Sequence, residues 1–255
     1  MLPDALFWNV HMYGIMIAVG VLCAFIVLYW YGKKTSVPEK FSDFLFYNGV
    51  ASTIVGMGSA AVFQGFYNFI ENPENGFRLD GGITFIGGLI GGAGFFLIVY
   101  FIFRKRLNGR LLEVLSIIPC SITVAHAFGR IGCFFAGCCY GKVTHSFLGV
   151  KFPDLPEPVH PTQLYEAAFL FILFGVMSYL LLKKKFQQNM SLYLIAYGIF
   201  RFCIEFLRDD DRGALLGGIS PSQFWSIGMV ILGIVLWIVL PKFMKKLESD
   251  KENAG

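Results

Sequence analysis

The hydrophobic residues of this chain run in long unbroken blocks, without the alternating or three-to-four-spaced stripes of a soluble core. Positions 5–32, 44–70, 81–103 and 213–241 hold no Asp, Glu, Lys or Arg. Each block exceeds the roughly 20 residues that a helix needs to cross hydrocarbon. Three further runs are interrupted. About Leu111 to Phe135 contains Glu113, His126 and Arg130; the run after His160-Pro-Thr-Gln-Leu-Tyr-Glu166 ends at Lys183; and about Ser191 to Leu207 contains Arg201 and Glu205. The pattern predicts an all-α, polytopic membrane helical bundle of about seven transmembrane helices. Residues 1–242 form the seven-span domain and 243–255 a solvated tail.

Two of the clean runs carry packing signals. Asn48, Ser52, Gln64 and Asn68 make the second polar enough to face protein more than lipid, and Gly87/Gly91 and Gly88/Gly92 in the third have the spacing that lets helix backbones approach closely. The first run has no basic segment before it and is too long for a signal-peptide core, so it is expected to be retained as a span.

Composition sharpens the class. The chain is 56% hydrophobic, beyond the ~45–50% of soluble domains. Its net charge of +4 forms no basic domain and implies no nucleic acid; the basic residues lie in short loops, where they set topology. The loops after spans one, three and five and the C-terminal tail hold 14 Lys and Arg, against five on the other side. The positive-inside rule then places the N-terminus outside and the C-terminus in the cytoplasm.

With that orientation, four spans bring unusual polar groups to one external level. Span four contributes His126, Arg130 and Cys133 on one helical stripe, followed by Cys138 and Cys139; span six contributes Tyr197, Arg201 and Glu205, one turn apart. Span five begins with His160 and Glu166, and span one with His11 and Tyr13. An arginine in hydrocarbon costs roughly 2.5–3.5 kcal/mol on insertion scales, so intramembrane arginines call for a function or a partner. A guanidinium fork matches a phosphate, and a phospholipid headgroup is the anion present at that depth. A purely structural account makes Arg201 and Glu205 an i,i+4 ion pair and lets Arg130 snorkel to the interface.

His126 is placed to be a general base or, equally, a helix-packing histidine bonded to a carbonyl. His160 fits a helix-entry cap. Cys133, Cys138 and Cys139 admit a structural bridge, a thiolate near Arg130, or a metal site; Cys23, Cys120 and Cys203 read as small buried hydrophobes. A transporter is disfavoured, because the ionisable groups gather near one face and no internal repeat is seen.

These residues resemble bacterial prolipoprotein diacylglyceryl transferases over nearly the whole chain. The resemblance rests on His11 to Met16, Phe66-Tyr-Asn68, Gly81 to Gly91, Gly129-Arg-Ile-Gly132, the His160 to Glu166 segment and Tyr197-Gly-Ile-Phe-Arg-Phe-Cys-Ile-Glu-Phe-Leu-Arg208. It implies that residues 1–242 are a transferase domain in the bacterial plasma membrane, with its site toward the extracytoplasmic leaflet. The implied reaction moves the diacylglyceryl group of phosphatidylglycerol to the thiol of a lipobox cysteine in a prolipoprotein signal peptide, releasing glycerol 1-phosphate. By matching positions, Arg130 and Arg201 are its essential arginines, Tyr13 its first-span tyrosine, and Tyr197 and Glu205 the partners of the second arginine. His126 joins them as a catalytic candidate. His160, Glu166 and Gly141 are assigned with Arg130, Arg201 and Tyr197 to phospholipid binding, and no cofactor or metal is implied.

The chain departs from the family signature at Cys133 (Asn), Cys138 (Glu), Ile86 (His) and Ala60 (Arg), and the segment from Gly141 to His160 is short. His126 is a substitute for the missing histidine by spacing. Two other functions remain in view: a phospholipid-dependent transferase with another acceptor or a cysteine nucleophile, and a non-catalytic protein that binds or moves membrane lipids.

Overall fold

The computed structural model describes residues 11–35, 37–79, 84–107, 109–208 and 219–252. The expected start of span one at 5–10, the Gly81-Gly82 pair, residues 213–218 of span seven and the last three residues lie outside the described set. The described chain forms α1 (Met12–Lys34), α2 (Glu39–Glu71), α3 (Phe85–Phe103), a single turn α4 (Leu111–Val114), α5 (Ile118–Phe135), α6 (Thr162–Lys184), α7 (Asn189–Ile204) and α8 (Pro221–Glu252). Six of these are long and apolar enough to cross a membrane, and Gly87–Phe103 within α3 adds a shorter apolar helix, so six to seven spans stand where the hydrophobic blocks predicted about seven. Among the described residues there are no strands beyond isolated bridges.

The chain divides into two compact units, Gly32–Glu113 and a larger one built from Met1–Tyr31 with Val114–Gly255. In the smaller unit α2 and α3 pack through their small residues. A Cβ on Gly56 would stand 3.0 Å from the Gly88 carbonyl oxygen and 3.4 Å from Gly92 Cα, so the backbones meet with no room for a side chain. The polar residues of α2 line this seam. Asn48 Nδ2 donates to the Phe96 carbonyl (3.1 Å), Ser59 Oγ to the Gly87 carbonyl (2.9 Å), and Thr84 Oγ1 to Gln64 Oε1 (2.6 Å).

The larger unit holds every candidate site residue. Here α1 packs against α5, with Gly20 on Ala125 and Tyr13 on Gly132. Helix α7 packs along α8 through Gly198 against Ser226 and Val230, and through Ile195 against Gly233. Asn189, fully buried at the start of α7, donates to the carbonyls of Ser116 (3.0 Å) and Met177 (3.2 Å) and ties three segments together. Large apolar side chains point outward, as Leu22, Ile172 and Trp225 do, while Gln163, Glu166, Asn189 and Arg201 are inside. This inverts the soluble pattern and fits a lipid-facing exterior.

Two boundaries differ from expectation. The run from Leu111 to Phe135 is not one helix: it breaks at Leu115–Ile117 and restarts with Pro119 in the first turn of α5, where the missing N–H of proline costs nothing. Glu113 therefore lies outside the spanning helix. At the other end α8 continues through Glu252, because the Lys- and Glu-rich sequence after Pro241 favours helix.

Candidate active site

The first part of the site is made by the way α5 ends. Gly137 adopts φ +70°, its N–H bonds to the Phe134 carbonyl (3.2 Å), and the Cys138 N–H bonds to the Cys133 carbonyl (3.2 Å). These are the two bonds of a Schellman cap, which folds the residue after the glycine back over the third residue from the helix end. Where that motif commonly sets a hydrophobic contact, this chain sets Cys138 over Cys133. Cys139, also left-handed at φ +66°, turns the third thiol inward, and the three Sγ atoms lie within 4.8 Å of one another. Gln163 Nε2 donates to the Cys138 carbonyl (2.5 Å) and Thr162 Oγ1 to the Cys139 carbonyl (2.8 Å), so the buried start of α6 clamps the turn. Hydrogen bonds from the thiols of Cys133 and Cys138, and then Arg208, hold Cys139 well below the usual thiol range; the same hydrogen bonding raises Cys138. Tyr13 lies within electrostatic range of all three cysteines and of Arg130.

One turn back along α5 from Cys133 stands Arg130, and the hub at that level is Glu166 of α6. Its side chain is 1% exposed, and its Oε1 receives the Tyr197 hydroxyl (2.7 Å) and faces Arg130 Nε (3.0 Å) and His126 Nε2 (3.6 Å). The His126 ring meets Tyr197 edge-on at 5.0 Å, and Tyr193 stacks on Tyr197. Helices α5, α6 and α7 thus converge on one carboxylate. Arg130 is paired within the bundle.

The second arginine is held by α7 and the start of α8. Arg201 Nη2 pairs with Glu205 Oε2 (2.9 Å) and donates to Ser222 Oγ (3.0 Å), and Ser220 Oγ donates to Glu205 Oε1 (2.8 Å). Ser220 and Gln223 exchange backbone-to-side-chain bonds, the Gln223 N–H donating to Ser220 Oγ and the Ser220 N–H to Gln223 Oε1. With Pro221 at the first helical position this is a capping box, which fixes both serines against the ion pair. Arg201 is 8% exposed, and its Nη1 is buried with no hydrogen-bond partner. Tyr197, one turn before Arg201 on α7, gives its hydroxyl to the carboxylate that pairs with Arg130, and both guanidinium groups lie within electrostatic range of His126 and Tyr197.

The expected residues therefore fall into three adjoining groups: His126, Arg130, Glu166 and Tyr197; Arg201 and Glu205; and the cysteines with Tyr13. Tyr197 gives its hydroxyl to Glu166, where the resemblance made it a partner of Arg201. His160 is engaged elsewhere, its Nδ1 3.2 Å from the Tyr165 hydroxyl. Gly141 bonds the His160 carbonyl through its N–H (2.8 Å) and packs on the Leu207 backbone, holding the loop without offering a side chain. Sequence reasoning missed Thr162, Gln163, Ser220 and Ser222. The last two were signalled by Ser220-Pro-Ser-Gln223, a capping-box pattern ahead of an apolar run.

Comparison with known proteins gives a single answer. The family model described as prolipoprotein diacylglyceryl transferase matches residues 4–239. The chain is 37% identical over 235 residues to the phosphatidylglycerol–prolipoprotein diacylglyceryl transferase of Clostridium tetani, covering 90% of this chain and 92% of that one. It is 34% identical to the second such enzyme of Clostridium perfringens, over 96% and 94% of the two chains. The Coxiella burnetii enzyme is also 34% identical, over 90% of each.

Proposed function

Because the chain belongs to the prolipoprotein diacylglyceryl transferase family, we propose that it transfers the diacylglyceryl group of phosphatidylglycerol to the cysteine thiol of a prolipoprotein. The observation that carries the reading is the link between Arg130 and Arg201 through Tyr197: its hydroxyl meets the carboxylate that pairs with Arg130, Arg201 lies one turn further along α7, and the buried Nη1 of Arg201 has no hydrogen-bond partner. An unsatisfied buried donor costs about 1–3 kcal/mol, which an arriving phosphate oxygen would recover.

In the proposed reaction the acceptor sulfur attacks the diacylglyceryl carbon that bears the phosphate ester. The S–C bond forms, the C–O bond breaks, and its electron pair leaves on the phosphate oxygen of glycerol 1-phosphate. Arg130 and Arg201 neutralise the charge growing on that oxygen as preorganised cations. His126 is the candidate to take the thiol proton, and Glu166 orients both His126 and Arg130. The acceptor is the cysteine of a lipobox, and the site faces the extracytoplasmic leaflet of the plasma membrane, in line with the basic-residue count. The seven-span transferase domain is assigned to residues 1–242 and the cytoplasmic tail to 243–255.

The test is transfer to a lipobox peptide in phosphatidylglycerol vesicles. Arg130→Ala and Arg201→Ala should each abolish transfer and glycerol 1-phosphate release while the protein still inserts. Full activity in either variant overturns the assignment. Release of glycerol 1-phosphate by the unaltered chain rules out a pure lipid binder, and an adduct on Cys138 or Cys139 would favour a cysteine nucleophile.

A further inference from the structure

The three thiols are used by nothing in the mechanism above, yet they are the most organised feature of the loop that carries them. Two left-handed residues, a Schellman cap and two buried side-chain clamps from α6 converge on bringing Cys133, Cys138 and Cys139 together. A single bridge between Cys133 and Cys138 would need only the cap. The left-handed turn at Cys139, a conformation unfavourable for a non-glycine residue, is explained when the third sulfur has a use.

We infer that Cys133, Cys138 and Cys139 form a tricysteine site for a thiophilic metal ion such as zinc, whose fourth position is open to the thiol of the acceptor substrate.

The geometry suits this. Zn–S bonds of about 2.3 Å in a tetrahedron set sulfur–sulfur distances near ~3.8 Å, and three Sγ atoms within 4.8 Å reach that by small rotations about χ1. Cys138 is exposed while Cys133 and Cys139 are half-buried, so the trio presents an open side to an incoming group. Three protein ligands and one exchangeable position is the arrangement of catalytic zinc, as opposed to the closed four-ligand structural site. A thiol that binds there is deprotonated outright. Its proton passes to His126 or to water, and the metal-bound sulfur is delivered beside Arg130, which lies within electrostatic range of Cys133 and Cys139. The metal site stands on the cysteine geometry alone; its role toward the acceptor rests on the proposed transfer. It also parts from the sequence-based expectation of no metal.

The experiment uses the full chain, reduced, stripped with a chelator and held in phosphatidylglycerol nanodiscs, with Zn2+ or Co2+ alone as probe. Expected are one tightly held zinc per chain after desalting and a sulfur-to-cobalt charge-transfer absorption with the visible bands of tetrahedral cobalt. Both should be lost in Cys133→Ser and in Cys139→Ser. A lipobox peptide with its cysteine should shift the visible cobalt bands, and the same peptide with serine should not. Failure of the reduced wild type to bind either ion overturns the metal site, as does undiminished binding in Cys133→Ser, in Cys139→Ser or in the two combined, or a bridge within the trio that survives mild reductant. Metal binding with no response to the cysteine peptide overturns the acceptor role. Transfer measured in the same samples separates the two readings: transfer without metal binding removes the metal and keeps the reaction, and metal binding without transfer does the reverse.

Discussion

Glu166 and Arg130 give the sharpest energetic test, because one carboxylate oxygen serves three partners. Arg130→Met leaves a 1%-exposed carboxylate with the Tyr197 hydroxyl and no adjacent arginine. Removing one member of a buried pair costs about 3–5 kcal/mol, and since the Arg130 side chain is 19% exposed, the lower end, about 3 kcal/mol, is expected. Glu166→Gln keeps an acceptor for Tyr197 but removes the charge. It should cost a similar amount, because Arg130 is then the uncompensated ion. The double variant has no charge left to strand. Its loss should fall short of the sum of the two single losses by about 2 kcal/mol, within the 0.5–3 kcal/mol typical of residues in contact. The assay is denaturant-driven unfolding in mixed micelles followed by tryptophan fluorescence, at a pH well above the imidazole range so that His126 cannot stand in for the arginine. Additivity to within about 0.5 kcal/mol would refute the pairing, and with it the claim that Glu166 orients Arg130.

Three further outcomes are expected. Gly137→Val places a β-branched residue at φ +70°; it should destabilise by at least ~1–2 kcal/mol and slow the diamide-driven bridging of the Cys133–Cys138 pair, read by intact mass. Gly88→Leu forces a side chain between α2 and α3 against Ala60 and the Gly56 backbone and should cost about 1–3 kcal/mol by overpacking, seen as a lowered unfolding midpoint; Leu89→Ile, on the exposed face, should leave the midpoint nearly unchanged. Asn189→Leu strands the Ser116 and Met177 carbonyls, about 1–3 kcal/mol for each group left unmade, and no rescue is expected from Asn189→Gln because the pocket is fully buried.

What was legible in the sequence follows from the range of each interaction. The spans were readable because hydrocarbon imposes length and apolarity residue by residue, and the glycines at 87, 88, 91 and 92 announced a close approach without naming Gly56 as its partner. The break before Pro119 was missed because hydropathy averages over it, although the proline itself was the signal. The Arg201–Glu205 pair was visible as i,i+4 on one helix, and its geometry is as expected. Glu166 as the meeting point of three helices was not visible, since nothing in local spacing says which distant side chain a buried carboxylate will face. The resemblance pointed to Arg130, Glu166 and Tyr197 without joining them, and gave Tyr197 a different partner.

The two arginines also differ in how their charge is carried into the membrane. Arg201 enters with Glu205 four residues on, at the C-cap of α7, so one continuous segment brings a neutral pair. Arg130 has no such local partner: α5 carries it alone, at roughly 2.5–3.5 kcal/mol on insertion scales, until α6 packs and presents Glu166. The site is therefore assembled, where Arg201 is prepaired, and its completion depends on the contact between α5 and α6. That same contact brings Thr162 and Gln163 onto the cysteine turn. Positions 162, 163 and 166 lie within one helical turn at the start of α6, so the docking that neutralises Arg130 also fixes the three thiols. Charge compensation and thiol placement are one packing event, and a substitution that loosens the start of α6 should disturb both together.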